Sequence, residues 1–319
     1  MKIAMLFPGY TSQFVGMAKE LYDESRIIQE YFEEASNCLD VNFVKLCFAS
    51  SDAELAKMHN AYPALFLVSS ALYALLAHEG IKPDAVAGYN SGQYAAFFAA
   101  QSLSLPDGLY LLLKYATYYQ EGIAGLDVAV VRISGVKTSE VAQRCLSVHE
   151  STNQVVDIAI SEGDSRCIIS GNTGAVNMVV DELRDLYKAH VQELNVANGI
   201  HSGLADSVVH SFKMYLEKVD CKEPQLSLYS GTSGLPITDS NQVRQEIISL
   251  INHPLSFDCV VRSLVDYDII IEIGPGHMLS SLLKEQYPDK KIFAVNKRSD
   301  IEEIKALVLA CNAPVSEGE

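Results

Sequence analysis

Two rhythms in the chain predict an α/β fold: a largely parallel sheet with its helices, and a small ferredoxin-like domain inserted into it. The first rhythm is a succession of short β-rich runs, each followed by a longer helical pattern. The second is a β-α-β-β-α-β string confined to residues 126–196. A third observation sharpens the picture: Gly88 and Gly92 stand two residues to either side of Asn90 at the end of one β-rich run. That spacing puts a tight strand-to-helix turn in the larger part.

Taken in order, KIAMLF is apolar without alternation, as a strand buried on both faces should be, and it precedes helices expected over about 12–36. DAVAGY leads into a helix over 91–104, LSLYSG into 241–251, IIIEIG into 277–286 and KIFAVN into 300–311. Between them, strand DVAVVRISG is followed by helix TSEVAQRCLSVH, strands VVDIAIS and SRCIISG, helix TGAVNMVVDELRDLYKA and strand VQELNV. A large domain is thus expected from 1–125 and 197–319 and a small one from 126–196, with the cleft between them as the expected site. The tail APVSEGE is expected to fray.

At 319 residues and 49% hydrophobic content, the chain can bury one large core or two unequal ones. Lys and Arg total 24 against 40 Asp and Glu, a net charge of −16 that argues against nucleic acid or an anionic membrane as partner. The seven cysteines are scattered and form no C-x-x-C pair, so neither a disulfide framework nor a metal site is expected. Free thiols in a reducing cytosol fit this usage. MKIAMLFPG holds too short an apolar run for a signal peptide. YPALFLVSSALYALLAHEG carries serines and tyrosines and ends in glycine, as a core helix does rather than a membrane span.

AVAGYNSGQYAAFFAA has the outline of a nucleophile elbow, in which the residues two before and two after the central one must be small so that backbones can pass. Only the frame centred on Asn90 satisfies this, because centring on Ser91 would place Tyr89 and Gln93 at those positions. The Ser91 backbone N–H follows the elbow residue, where such turns place one oxyanion donor. A strand-to-helix turn that merely contains G-x-N-x-G is the alternative.

Several landmarks then recur together: LFPGYTSQFVGM, YPALFLVSSALY, AGYNSGQYAAFFAAQSLSL, CIISGNTGAV, LNVANGIHSGLADS and IIEIGPGHMLSSLLK. In this order along nearly the whole chain they resemble the malonyl-CoA:acyl-carrier-protein transacylase family, which includes the acyltransferase domains of polyketide synthases. The resemblance implies an α/β-hydrolase-like large domain with an inserted ferredoxin-like one. It also implies a serine that takes an acyl group from coenzyme A and passes it to a carrier protein's thiol, with a histidine as base and acid. Matched position by position, the serine is replaced by Asn90 and the histidine before it by Tyr89. Tyr10 and Tyr62 stand for two glutamines, Gln93 for a glutamate, and Tyr115 for the arginine that would pair with malonate's carboxylate. The catalytic histidine corresponds to His201, and matching LINHPLSF makes the Leu250 carbonyl the acceptor that orients it.

A carboxamide nitrogen is a poor nucleophile, because its lone pair is delocalised into the carbonyl, so the acyl-enzyme route should be closed. Four tyrosines in these positions would turn a polar, cationic pocket aromatic, or simply fill it. Three function classes stay open. One is a non-catalytic protein that binds coenzyme A thioesters, an acyl carrier protein or a synthase subunit. Another is an acyltransferase or thioester hydrolase working through His201, and the last is a structural subunit with a vestigial cleft. No covalently held cofactor is expected. KKIFAVNKR, with Lys290, Lys291, Lys297 and Arg298, is the densest positive stretch and reads either as a carrier-docking patch or as a solvated strand edge.

Overall fold

The computed structural model describes residues 1–195 and 199–312. The expected domain junction at 196/197 and the tail 313–319 lie outside the described residues. In chain order the strands are β1 (Ile3–Phe7), β2 (Ala85–Gly88), β3 (Val128–Ser134), β4 (Val156–Gly163), β5 (Arg166–Asn172), β6 (His190–Leu194), β7 (Ser227–Tyr229), β8 (Pro236–Ile237), β9 (Leu255–Ser256), β10 (Ile269–Ile273) and β11 (Lys291–Val295).

The chain forms two compact units. The first takes in Met1–Tyr110, Pro224–Leu228 and the C-terminal segment from Leu264; the second takes in Leu111–Glu223 and Tyr229–Ser263. The segment 126–196 thus lies within the second unit, which extends beyond it on both sides.

In the first unit, β11, β10, β1, β2 and β7 lie side by side in that order, and every neighbouring pair is parallel. All five residues of β1 and of β10 are buried, which explains why neither alternates: a parallel strand covered on both faces has no solvent side, and the one charged residue, Glu272 of β10, is buried and accepts from the Leu279 and Ser280 N–H groups. The helix Met58–His78 packs into this core, and 78% of its most apolar window is buried inside the protein, although length and composition alone would let it cross a membrane. Its serines and tyrosines belong to a protein interior.

In the second unit the sheet order is β6-β3-β5-β4-β9, antiparallel except for the β4–β9 pair. Helices Thr138–Thr152 and Thr173–Tyr187 cover one face, burying Val131, Ile133, Cys167 and Ile169 against Val141, Cys145, Val176 and Val179. The six-element string therefore closes into the ferredoxin-like arrangement, with β9 added as an extra strand.

Two helices start or stop elsewhere than the sequence pattern suggests. Residues 11–18 form turns rather than the first helix, because Thr11 (φ 86°), Gly16 (φ 97°) and Ala18 (φ 59°) occupy the left-handed region, which cannot propagate a right-handed helix. The helices there are Lys19–Glu24 and Arg26–Leu39. The helix after the elbow spans Gln93–Ala99 and ends short of 104, with Gln101 at φ 60° just beyond it.

Candidate active site

The first unit carries the elbow. Strand β2 ends at Gly88, and Asn90–Gly92 make a single 3-10 turn before the helix Gln93–Ala99. Asn90 holds φ at 54°, the left-handed conformation that an elbow imposes on its central residue and that asparagine tolerates better than most. The glycines are required by close approach. A Cβ on Gly88 would lie 2.2 Å from the Gln93 nitrogen, and one on Gly92 would lie 2.2 Å from the Phe7 carbonyl oxygen. The turn is therefore an elbow in geometry, and Asn90 stands at its apex.

A loop running from β1 lines the turn. A Cβ on Gly9 would fall 2.3 Å from the Tyr89 carbonyl oxygen and 3.1 Å from the Ser91 nitrogen, so only glycine lets this loop pass beside the Ser91 N–H. The Tyr10 N–H donates to Ser91 Oγ at 3.0 Å and joins loop to turn. Gln93 Oε1 accepts from the Gly88 N–H at 2.8 Å, bracing strand against helix. Gly9 is a residue that motif reading passed over; its signal was the P-G step ahead of Tyr10.

Tyr10 and Tyr62 pack edge to face, with ring centroids 5.6 Å apart, and both are buried. The Tyr10 hydroxyl donates to the Ala56 carbonyl at 2.8 Å, and burial raises its pKa. This hydroxyl tip is committed to the main chain. Tyr89 is buried too, its N–H donating to the Phe7 carbonyl at 2.9 Å.

The second unit carries His201, Leu250 and Tyr115. His201 Nδ1 lies 3.0 Å from the Leu250 carbonyl oxygen, and the ring is buried. That carbonyl is available for a local reason. Leu250 sits in the last turn of the helix Ser240–Asn252, and the residue four positions on, whose N–H would close the next helical bond, is Pro254. The helix is started firmly by the Asp239 side chain, which accepts from the Asn241 and Gln242 N–H groups.

His201 itself has φ 45°, and Ile200 just before it is held in place. The Ser170 hydroxyl donates to the Ile200 carbonyl, and the Ile200 backbone also hydrogen-bonds the Tyr119 hydroxyl, whose pKa burial pushes well above the ordinary value. Gly199, at φ 99°, lies so close beneath the imidazole that a Cβ would fall 2.3 Å from its Nε2. Ser170 and Gly199 complete the setting of His201, and neither is signalled by local sequence. Tyr115 is buried against Tyr119 and Phe212, at ring centroid distances of 5.7 and 6.1 Å.

The basic stretch is partly neutralised. Arg298 reaches Glu79 at 2.9 Å and Glu302 at 3.6 Å, whereas Lys291 and Lys297 are exposed around the edge strand β11. Among the described residues, no group of three His, Cys, Asp or Glu side chains is placed to hold a metal ion.

Residues 4–306 match the family described as acyl transferase domain. The chain is 30% identical over 303 residues to the malonyl CoA-acyl carrier protein transacylase of Bacillus subtilis (strain 168), covering 94% of this chain and 95% of that one. It is 26% identical to the protein of the same name from Staphylococcus aureus (strain MRSA252), over 94% and 97% of the two chains. Among solved structures, FabD from Acinetobacter baumannii superposes with a TM-score of 0.91 at 27% identity, covering 97% of this chain and 99% of that one. The fold is shared, at a TM-score of 0.90 and 22% identity over 96% of this chain and 100% of the other, with a malonyl-transacylase solved in complex with its type II PKS acyl-carrier protein.

Proposed function

The chain belongs to the acyl transferase domain family, among the malonyl-CoA:acyl-carrier-protein transacylases of fatty-acid and polyketide synthesis, and from that premise we propose that it binds acyl thioesters or a carrier protein without performing transacylation. The observation that carries this function is Asn90 at the apex of an intact elbow, at φ 54° between two glycines that admit no side chain. Everything that presents a nucleophile is kept, and the atom presented is a carboxamide. Loss of the nucleophile in triad enzymes costs many orders of magnitude, leaving only what binding and oxyanion stabilisation contribute.

In this function Asn90 fills the nucleophile position, the Ser91 N–H the oxyanion-donor position, and His201, oriented by Leu250, the base position. Tyr10, Tyr62, Tyr89 and Gln93 of the first unit, and Tyr115 of the second, stand at the positions that the family resemblance assigns to acyl binding. Without an arginine at 115 a malonate carboxylate would be desolvated unpaired, so uncharged acyl groups are the better cargo. The partners are acyl-coenzyme A and an acyl carrier protein or synthase subunit, in the cytosol.

A second function, thioester hydrolysis with His201 as base toward water, draws support from the His201–Leu250 hydrogen bond, which orients the ring as a working base needs. Incubation with acetyl- and malonyl-coenzyme A, followed by intact-mass measurement, thiol-release assay and calorimetry, separates the cases. Binding with neither adduct nor released thiol is expected. Thiol release without adduct would favour hydrolysis, a stable acyl adduct would reveal another nucleophile, and no binding would leave a structural subunit.

A further inference from the structure

His201 is held in a conformation that L-residues avoid. At φ 45° it lies in the left-handed region, yet its ring is buried and its Nδ1 meets the Leu250 carbonyl at 3.0 Å. The torsion φ of a residue begins at the carbonyl carbon of the residue before it. Whatever fixes the planar peptide group between Ile200 and His201 therefore fixes one end of the torsion that aims the imidazole. The chain itself supplies little stiffness, because Gly199, at φ 99°, populates that region freely. The restraint must come from outside the segment.

Two side chains supply it. The Ser170 hydroxyl donates to the Ile200 carbonyl. The Tyr119 hydroxyl is hydrogen-bonded to the Ile200 backbone, and that bond works against the rise in pKa that burial causes, as an N–H donating to the phenolic oxygen does. Ile200 is thus gripped at both of its main-chain groups, and Tyr119, Ser170 and Ile200 are all fully buried, so water cannot stand in for either bond. Both anchors sit on regular elements. β5 is the central strand of its five-stranded sheet, and Ser170 stands opposite Val130 of β3 and Asp157 of β4. Along β5, Cys167 and Ile169 enter the core beneath the two helices, so Arg166, Ile168 and Ser170 share the opposite face. Tyr119 belongs to the helix Leu105–Ile123, where its ring packs edge to face on Tyr115.

We propose that Ser170 and Tyr119 are positioning residues for His201: gripping Ile200 from both sides, they hold the histidine in its left-handed conformation with Nδ1 on the Leu250 carbonyl, and so decide which ring nitrogen is left bare. Without the grip the peptide group before His201 can turn, φ relaxes, and the ring loses its acceptor. This clamp rests on the base position given to His201 above and not on thioester binding.

The test is NMR of the uniformly 15N-labelled full chain, without ligand, reading the His201 ring nitrogens and the exchange of the Ile200 amide hydrogen. Three variants are compared with the unaltered chain: Ser170→Ala, Tyr119→Phe, and Cys167→Ala as a control that opens the helix-covered core from the same strand. Ser170→Ala should lower the ratio of the Nδ1–H to the Nε2–H tautomer of neutral His201 by about tenfold. Tyr119→Phe, which keeps the ring and removes one oxygen, should lower it too and speed Ile200 exchange by at least about tenfold. Cys167→Ala should leave both readings unchanged. Should Ser170→Ala fail to fold, Tyr119→Phe carries the test, and a shift in only one of the two assigns the grip to that side chain. A tautomer ratio undiminished in both variants, or lowered as far in Cys167→Ala, would overturn the clamp. Because no ligand enters these spectra, failure of acyl-coenzyme A to bind would overturn thioester binding and leave the clamp standing.

Discussion

His201 and Leu250, 49 residues apart, meet through a ring nitrogen and a helix-terminal carbonyl at 3.0 Å, an acceptor left open by Pro254. A carbonyl can only accept, so Nδ1 must carry the hydrogen, and in the neutral ring Nε2 must be the bare nitrogen.

That tautomer is the first prediction. With 15N-labelled histidine, the imidazole signals of His201 in its neutral form are expected to show the Nδ1–H pattern. Observing the Nε2–H pattern instead would mean that Leu250 does not orient the ring.

Asn90→Ser should restore covalent capture. Because the elbow is intact, the substituted hydroxyl arrives in the left-handed turn, and acyl transfer should rise by at least about a thousandfold over the unaltered chain. Intact mass after incubation with acetyl-coenzyme A reads the adduct, and acetyl should outcompete malonyl because position 115 is tyrosine. If Asn90→Ser stays unmodified, something other than the missing hydroxyl blocks the chemistry.

Gly92→Ala probes the elbow's sterics. Its Cβ would lie 2.2 Å from the Phe7 carbonyl oxygen on the adjacent strand, and backbone cannot yield as a flexible side chain can. Destabilisation of more than about 3 kcal/mol is expected in denaturant titration. A loss below about 1 kcal/mol would show that β1 and the turn can separate freely.

Glu246 carries a pH signature. Burial raises its pKa above the ordinary carboxylate value, opposed by hydrogen bonds from Ser230 Oγ at 2.7 Å and from Thr232. The folded state therefore holds this proton more tightly than the unfolded chain. Its contribution to stability is complete below the unfolded carboxylate pKa and is lost as pH rises through the raised folded value. Thermal melts of the unaltered chain and Glu246→Gln should thus differ most in the unaltered chain's favour near about pH 4, with the advantage shrinking toward neutrality. A gap that widens with pH would reverse the assigned direction.

Local rules made much of this protein readable from its sequence alone. The non-alternating, mainly apolar runs of β1 and β10, the six-element string of the small sheet and the glycine frame around Asn90 each follow from periodicity or sterics within a few residues. The landmark order carried the family. Helix limits near residues 11–18 and after Ala99 were not legible, because left-handed turns at Thr11, Ala18 and Gln101 depend on how neighbouring elements pull the chain.

What only the tertiary structure decided are meetings between distant segments: Gly9 against Tyr89, Gly199 beneath His201, the Tyr10 hydroxyl on Ala56, and Arg132 with Arg166 on Glu162. Composition names the groups available for such pairs. Register and packing choose among them, since a one-residue slip of β5 against β3 would turn Arg166 and Ser170 to the helix-covered face and leave Glu162 buried without Arg166 as partner.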